Sequence, residues 1–136
     1  MRTSPNRLLG TVFCAVFVLV GLLGFAVTGG IGFIATGGGL LHGIVAVNPL
    51  RNVAHLLIGA ALLIAGLSNV SAAKAVNSTV GAVYLLLGIV GYFIFSSALN
   101  RLALTTADHY LHLASATLLL GVGAQRCARV TAAAPA

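Results

Sequence analysis

The sequence predicts an all-α membrane protein built as a four-helix transmembrane bundle. Of its 136 residues, 60% are hydrophobic, whereas only seven Lys or Arg residues and one Asp carry charge. This composition is too apolar for an ordinary soluble domain. Four apolar runs are long enough to cross the ~30 Å hydrocarbon layer as helices, and none alternates like a strand of a membrane barrel.

Each of the four predicted spans has a recognisable start. The spans cover residues 8–27, 49–67, 76–97 and 107–123. The first follows Arg7 and is longer than the core of a signal peptide, so we expect a retained anchor. The second starts at Asn48-Pro49, a capping residue followed by proline in the first turn. The third contains GAVYLLLGIVG, and the fourth follows the capping residue Thr105.

The remaining segments are two tails and a glycine-rich connection. We expect residues 8–125 to form one domain between tails 1–7 and 126–136. The connection 28–48 is either a flexible loop or a segment that dips into the lipid headgroups. Its TGGGLLHG stretch lacks the Lys-Ser/Thr ending of a phosphate-binding loop.

The basic residues predict the orientation. Four spans place both termini and the connection between spans two and three on one side of the membrane, and that side carries Arg2, Arg7, Lys74, Arg126 and Arg129. The opposite side carries only Arg51 and Arg101. Because short basic loops stay in the cytoplasm, both termini are predicted to be cytoplasmic. The basic residues are scattered singly, so no nucleic-acid partner is expected.

The two halves of the chain resemble each other. Aligning His55 with His112 superimposes HLLIGAALLIAG on HLASATLLLGVG. GTVF at Gly10 and GAVY at Gly81 then begin the two halves, which leaves ~14 additional residues in the outward connection of the first half. Two such helix pairs would be related by an axis along the membrane normal.

The repeat also pairs Arg51 with Asp108, the only acidic side chain. Each lies on a narrow polar face of its helix, one turn before His55 or His112. A charge facing lipid is costly, so both faces should turn into the bundle. Proline at the start of the second span places Arg51 where the helix dipole disfavours a cation. We therefore predict an ion pair between Arg51 and Asp108.

Several roles are open for this cluster. It locks the second and fourth helices together, or it binds a ligand or protons. A zinc site would use His55, Asp108 and His112, with His42 or His109 as a further ligand. A haem would lie between His55 and His112, and proton uptake by the histidines would switch the bundle between states.

No catalytic centre is predicted. Asp108, His112 and Ser115 are the residue types of a hydrolase triad, but they stack along one helix and cannot converge. Cys14 lies in an apolar span and Cys127 lies in a polar tail. One thiol would be in hydrocarbon and the other in water, so we expect no disulfide between them. We therefore predict no enzymatic activity and no cofactor.

Three stretches resemble a known family: NPLRNVAHLLIG, GAVYLLLGIVG and ADHYLHLASATLLLG. They are similar to a family of small four-span membrane proteins, common in actinobacteria and catalogued as a domain of unknown function. The resemblance implies a four-helix plasma-membrane protein. It points to the paired motifs of Asn52 with His55 and Asp108 with His112, and it supplies no reaction, ligand or partner.

The sequence thus favours a non-enzymatic accessory or assembly subunit that lies in the lipid bilayer. The first and third spans each have a glycine face, made by Gly10, Phe13, Phe17, Gly21 and Gly24 and by Gly81, Tyr84, Gly88 and Gly91. These glycine faces and the outer cluster would contact other membrane subunits or a second copy of the chain. The alternative is a module that binds metal, haem or protons at the Arg, Asp and His cluster.

Overall fold

The computed structural model describes residues 4–125, which form four α-helices and one β-hairpin. Helices α1 to α4 are Pro5–Val27, Pro49–Ser68, Val70–Ile94 and Thr106–Gly123. Strands β1 (Gly39–Leu41) and β2 (Val45–Val47) pair antiparallel between α1 and α2. The predicted all-α four-helix bundle is confirmed, with this hairpin as an addition. The predicted tail 126–136 lies outside the described residues.

Side-chain caps set the helix ends that differ from prediction. Ser4 accepts a hydrogen bond from the Arg7 backbone N–H at 3.2 Å, so α1 begins within the predicted tail. Asn69 both ends α2 and caps α3 through the Ala72 N–H at 2.8 Å. Because one residue separates these helices, α3 begins at Val70, more than a turn before the predicted start.

Helices α1, α2 and α3 are each long and apolar enough to cross a membrane, whereas α4 is not among these candidate spans. The polar residues Asp108, His109 and His112 lower the hydropathy of α4, yet all three are buried in the bundle. The side chains that α4 exposes are mostly apolar. The polar side chains of α4 therefore face the neighbouring helices.

The two ends of the bundle are different. At the terminal end, α1 begins and α4 ends, and the Asn6 amide donates to the Val122 carbonyl at 3.0 Å. The hairpin end carries the β-hairpin and the connection of residues 95–105. All four helices therefore run the length of the bundle between these two ends.

The residues 28–48 form ordered structure. Leu41 of β1 pairs with Val45 of β2, and the turn between them contains His42 and Gly43, both with positive φ. Val47 and Asn48 are fully buried where the hairpin leads into α2. The connection is therefore an ordered cap on the bundle and contributes to its core.

Contacts in the two halves match along the repeat. A methyl group at Gly21 of α1 would lie 2.9 Å from the Leu56 side chain of α2. In the second half, a methyl group at Gly88 of α3 would lie 2.8 Å from Leu113 of α4. Leu56 and Leu113 are equivalent when His55 is aligned with His112, so both helix pairs pack in the same register.

The basic residues at the terminal end match as well. The Arg7 guanidinium donates to the Gly66 carbonyl at 2.7 Å, where α2 ends. The Lys74 ammonium donates to the Gln125 carbonyl at 2.8 Å, just after α4 ends. A cation at a helix C-terminus compensates carbonyl groups that lack intrahelical partners. Each half therefore closes its second helix with a basic residue from its first.

One part of the predicted repeat is wrong by a helical turn. The alignment of GTVF with GAVY made Phe13 equivalent to Tyr84. In the structure Phe17 contacts His55 with ring centroids 5.6 Å apart, and Tyr84 contacts His112 at 4.9 Å. Phe17 is therefore the counterpart of Tyr84, and the first half has fewer additional residues than predicted.

The glycine faces predict a sharp difference between two Gly→Val substitutions. A Cβ at Gly81 would lie 3.0 Å from the Leu120 backbone nitrogen, whereas one at Gly121 would meet no atom of residues 4–125 within 4 Å. We expect Gly81→Val to lower the free energy of unfolding by about 1–3 kcal/mol through overpacking. Gly121→Val is the control, and chemical unfolding in detergent measures both. Equal losses would contradict the packing of α3 on α4.

Candidate functional site

Asn48 joins three segments at the hairpin end. Its side-chain oxygen accepts from the Arg51 backbone N–H at 2.9 Å, which caps α2. Its amide nitrogen donates to the carbonyls of Ala35 and Arg101, each at 2.8 Å. The fully buried Asn48 thereby fixes both connections of this end to the first turn of α2.

Arg51 and Asp108 form a buried ion pair between α2 and α4. Both terminal nitrogens of the guanidinium donate to the carboxylate, and the bond from Nη1 to Oδ2 is 2.9 Å. Nη1 also donates to the carbonyl of Ala46 in β2 at 2.7 Å. The two-pronged contact fixes the orientation of the two helices, and the third bond ties the hairpin to the pair.

Asp108 accepts four hydrogen bonds, three at Oδ2 and one at Oδ1. Besides the two bonds from Arg51, its Oδ2 accepts the Thr105 backbone N–H at 2.7 Å and the Thr105 hydroxyl at 2.8 Å. A carboxylate has about four lone-pair sites, and here four donors approach it. The same side chain therefore caps α4 and neutralises Arg51.

Four rings form a chain through the centre of the bundle below the ion pair. Phe17 stacks on His55, and the rings of Phe17 and Tyr84 stack at 5.3 Å. Tyr84 meets the edge of His112. The two histidines, which the repeat makes equivalent, lie at the two ends of this chain, with the aromatic rings between them.

The two ring nitrogens of each histidine in this chain of rings have different surroundings. Nδ1 of His55 and Nδ1 of His112 are both enclosed without a hydrogen-bond partner among residues 4–125. Their Nε2 atoms are not enclosed in this way. Both rings line two small cavities on opposite sides of the ring chain, of about 160 Å³ and about 40 Å³.

The larger of these, the central cavity, combines polar groups with apolar walls. Five residues with polar side chains line it: Arg51, His55, Tyr84, His112 and Ser115. The apolar wall consists of Val16, Phe17, Val20, Leu41, Val45 and Leu111. Thus α1, α2, α3, α4 and the hairpin all contribute to one cavity directly below the ion pair.

The other predicted candidates lie elsewhere. Asn52 donates to the Thr28 hydroxyl at 3.2 Å and faces α1. His109 is buried between Tyr92 and Phe95, with ring centroids 5.9 and 5.6 Å away. His42 is exposed at the hairpin turn. None of the three lines the central cavity.

The arrangement does not fit the alternative zinc or haem site. Among residues 4–125, no three His, Cys, Asp or Glu side chains converge on a common point. Asp108 is paired with the Arg51 guanidinium, whose positive charge opposes a zinc ion at the same carboxylate. The two aromatic rings that separate His55 from His112 fill the place of a macrocycle, and a cavity of about 160 Å³ is smaller than the ~300 Å³ of a typical drug-sized site.

Sequence reasoning missed the groups that complete the site. Phe17 and Tyr84 were recognised only as members of helix-packing faces, and the Ala46 carbonyl belongs to a hairpin that was not predicted. Their signal was the repeat itself, because aligning the halves one turn further along α1 makes Phe17 and Tyr84 equivalent. Such a pair marks the contact between the halves.

The fold and the site define a small helical membrane protein whose two halves are joined by a buried ion pair above a central cavity. The chain belongs to the family described as Domain of unknown function (DUF4383), whose model matches residues 7–125. No curated protein matches the chain. No solved structure matches it either.

The ion pair predicts strong non-additivity between two substitutions. Arg51→Met leaves the buried Asp108 carboxylate without its cation, so we expect a loss of about 3–5 kcal/mol in the free energy of unfolding. Adding Asp108→Leu should recover part of that loss, because no buried charge remains.

The control is Arg101→Met, which removes an exposed guanidinium and should change stability by less than about 0.5 kcal/mol. Unfolding in detergent micelles measures all three variants. If Arg51→Met behaved like Arg101→Met, the pair would not hold the helices together.

Proposed function

We propose that this protein is a non-enzymatic, four-span module of the plasma membrane that binds a small ligand in its central cavity. One observation carries the proposal: Arg51, two buried histidines and Tyr84 line a cavity of about 160 Å³ inside the bundle. Polar groups in a membrane interior are costly and mark binding or transport sites. A purely structural lock would need the ion pair but not the cavity.

The incomplete hydrogen bonding of the histidines supports binding. His55 is 7% exposed and His112 is 5% exposed, and neither ring forms a hydrogen bond to the described residues. Buried polar groups in folded proteins usually have partners. A ligand in the cavity would supply partners for the Nε2 atoms of both rings.

The alternative role as an accessory subunit has less support. It required glycine faces and an outer cluster that could meet another protein. The faces containing Gly21, Gly24, Gly81 and Gly88 pack within the chain, and the Arg51 cluster is buried. The surfaces on which the subunit proposal depended are therefore already occupied.

The arrangement of the helices supports a fourth span and cytoplasmic termini. Because α4 runs back to the terminal end, a bundle that spans the bilayer would place both ends of the chain on one side. Arg7 and Lys74 lie at that end, whereas Arg101 is the exposed cation of the hairpin end. The basic terminal end is the one expected in the cytoplasm.

Native and introduced cysteines test this orientation. Cys127 should not react with a membrane-impermeant maleimide in intact cells, because it follows α4 on the cytoplasmic side. It should react after permeabilisation. In a Cys127→Ser background, His42→Cys at the exposed hairpin turn should react in intact cells. The opposite pattern would reverse the proposed topology, and labelling of both cysteines in intact cells would exclude a crossing by α4.

Co-purification tests the binding function. Protein purified in a mild detergent should carry a small molecule that native mass spectrometry detects. His55→Ala with His112→Ala should lose it, because both rings line the cavity. The matched control is His42→Ala, which removes a histidine outside the cavity and should keep the ligand.

Metal analysis and an absorption spectrum of the same samples distinguish the ligand from zinc or haem. A ligand that both the double variant and the control retain would contradict binding in the central cavity. A stoichiometric partner protein with no small molecule would favour the accessory subunit.

A further inference from the structure

The central cavity opens toward lipid. It lies between α1 and α4, which pack mainly on α2 and α3, respectively, and touch each other little. Val16 of α1 and Leu111 of α4 border this gap, and they are 49% and 52% exposed. Both side chains belong to the apolar surface of the bundle. A ligand that enters here would come from the hydrocarbon layer.

The lining of the central cavity contains both apolar and polar side chains. The cavity is lined by apolar side chains of α1, α4 and the hairpin together with His55, Tyr84 and His112. The ligand must therefore be soluble in lipid and must also carry polar atoms at one end. A free ion or a sugar does not meet the first condition.

The polar groups favour a ligand with hydrogen-bond acceptors. A neutral imidazole carries its proton on one nitrogen only. Nδ1 of His55 and of His112 is enclosed without a partner. With the proton on Nε2, neither ring has a buried N–H that lacks an acceptor, and Nε2–H can donate to a ligand. Both rings and Tyr84 line the cavity, so a ligand there could meet up to three donors.

The shape of the site favours a planar ring. The stacked rings of Phe17 and Tyr84 form one wall of the cavity. Aromatic walls pack well against flat rings in offset or edge-on geometry. The volume of about 160 Å³ is sufficient for a ring system but not for a long chain, which would extend through the gap between α1 and α4.

We infer that the central cavity binds the ring of a lipid-soluble quinone, whose carbonyl oxygens accept hydrogen bonds from His55, His112 and Tyr84. The inference rests on the proposed binding function and names its ligand class. It involves binding only, and the ring is taken up in its oxidised form because that form offers two acceptors and no donor. The isoprenoid chain remains in lipid beside Val16 and Leu111.

Calorimetric titration of the purified full-length protein tests this inference. The probe is a naphthoquinone with a short isoprenoid chain, and the comparator is naphthalene with the same chain and no oxygen. The quinone should bind at least tenfold more tightly, because only its carbonyls reach the donors. A short-chain phospholipid, which offers ester carbonyls without a planar ring, should not displace it.

Single substitutions test whether the quinone binds in the central cavity. His55→Leu and His112→Leu should each weaken quinone binding about five- to tenfold, as expected for one lost hydrogen bond. His55→Gln, whose amide can donate from a position near Nε2, should restore part of the loss. Val16→Trp should block the gap without disturbing the core, since Val16 faces outward. His42→Leu is the matched control and should bind like the unmodified protein.

Equal affinity for the quinone and the naphthalene, or displacement by the phospholipid, would overturn the quinone inference. So would equal effects of His55→Leu and His42→Leu. These results separate it from the broader proposal: a native ligand that is lost in the His55 and His112 variants but is not a quinone leaves the binding function intact.

Discussion

The buried Arg51–Asp108 ion pair needs hydrogen-bond partners for its oxygen atoms and its N–H groups. The residues that supply these partners determine the structure of the hairpin end. Asp108 receives donors from Arg51 and Thr105, while Arg51 also reaches the Ala46 carbonyl in the hairpin. The first turns of α2 and α4 and strand β2 therefore all contribute to this one ion pair. Since each partner would be costly without the other, the geometry of both helix pairs depends on it.

The two halves contact each other through equivalent positions of the repeat, and the central cavity lies at this contact. Asn48 caps α2 and Thr105 begins α4, which are the matching positions of the repeat. One turn deeper, His55 and His112 contact Phe17 and Tyr84, whose rings stack across the junction. Within each half the helices pack closely over glycine, whereas α1 and α4 touch little, and the central cavity lies beside this gap.

Much of the architecture could be predicted from composition and from the few polar residues. Apolar runs of sufficient length indicated four helices, and the Asn48-Pro49 start located α2 correctly. The pairing of Arg51 with Asp108 followed from the shortage of acidic residues, because no other carboxylate side chain was available. The hairpin was missed because GLLHGIVAV is too short and too glycine-rich for a clear strand pattern. The cavity was missed because it depends on the register of Phe17 against Tyr84, and apolar helices align almost equally well one turn apart.

The unlike charges at equivalent positions limit how such a fold can be assembled. If each half paired with an identical copy of itself, the junction would bring Arg against Arg or Asp against Asp, and the repulsion inside an apolar bundle would open it. Opposite signs therefore require two different sequences facing each other. Joining the two halves in one polypeptide fixes their ratio at one to one. Each half then supplies the charge that neutralises the other. The two similar helix pairs thus form a directional fold, in which the halves cannot exchange places.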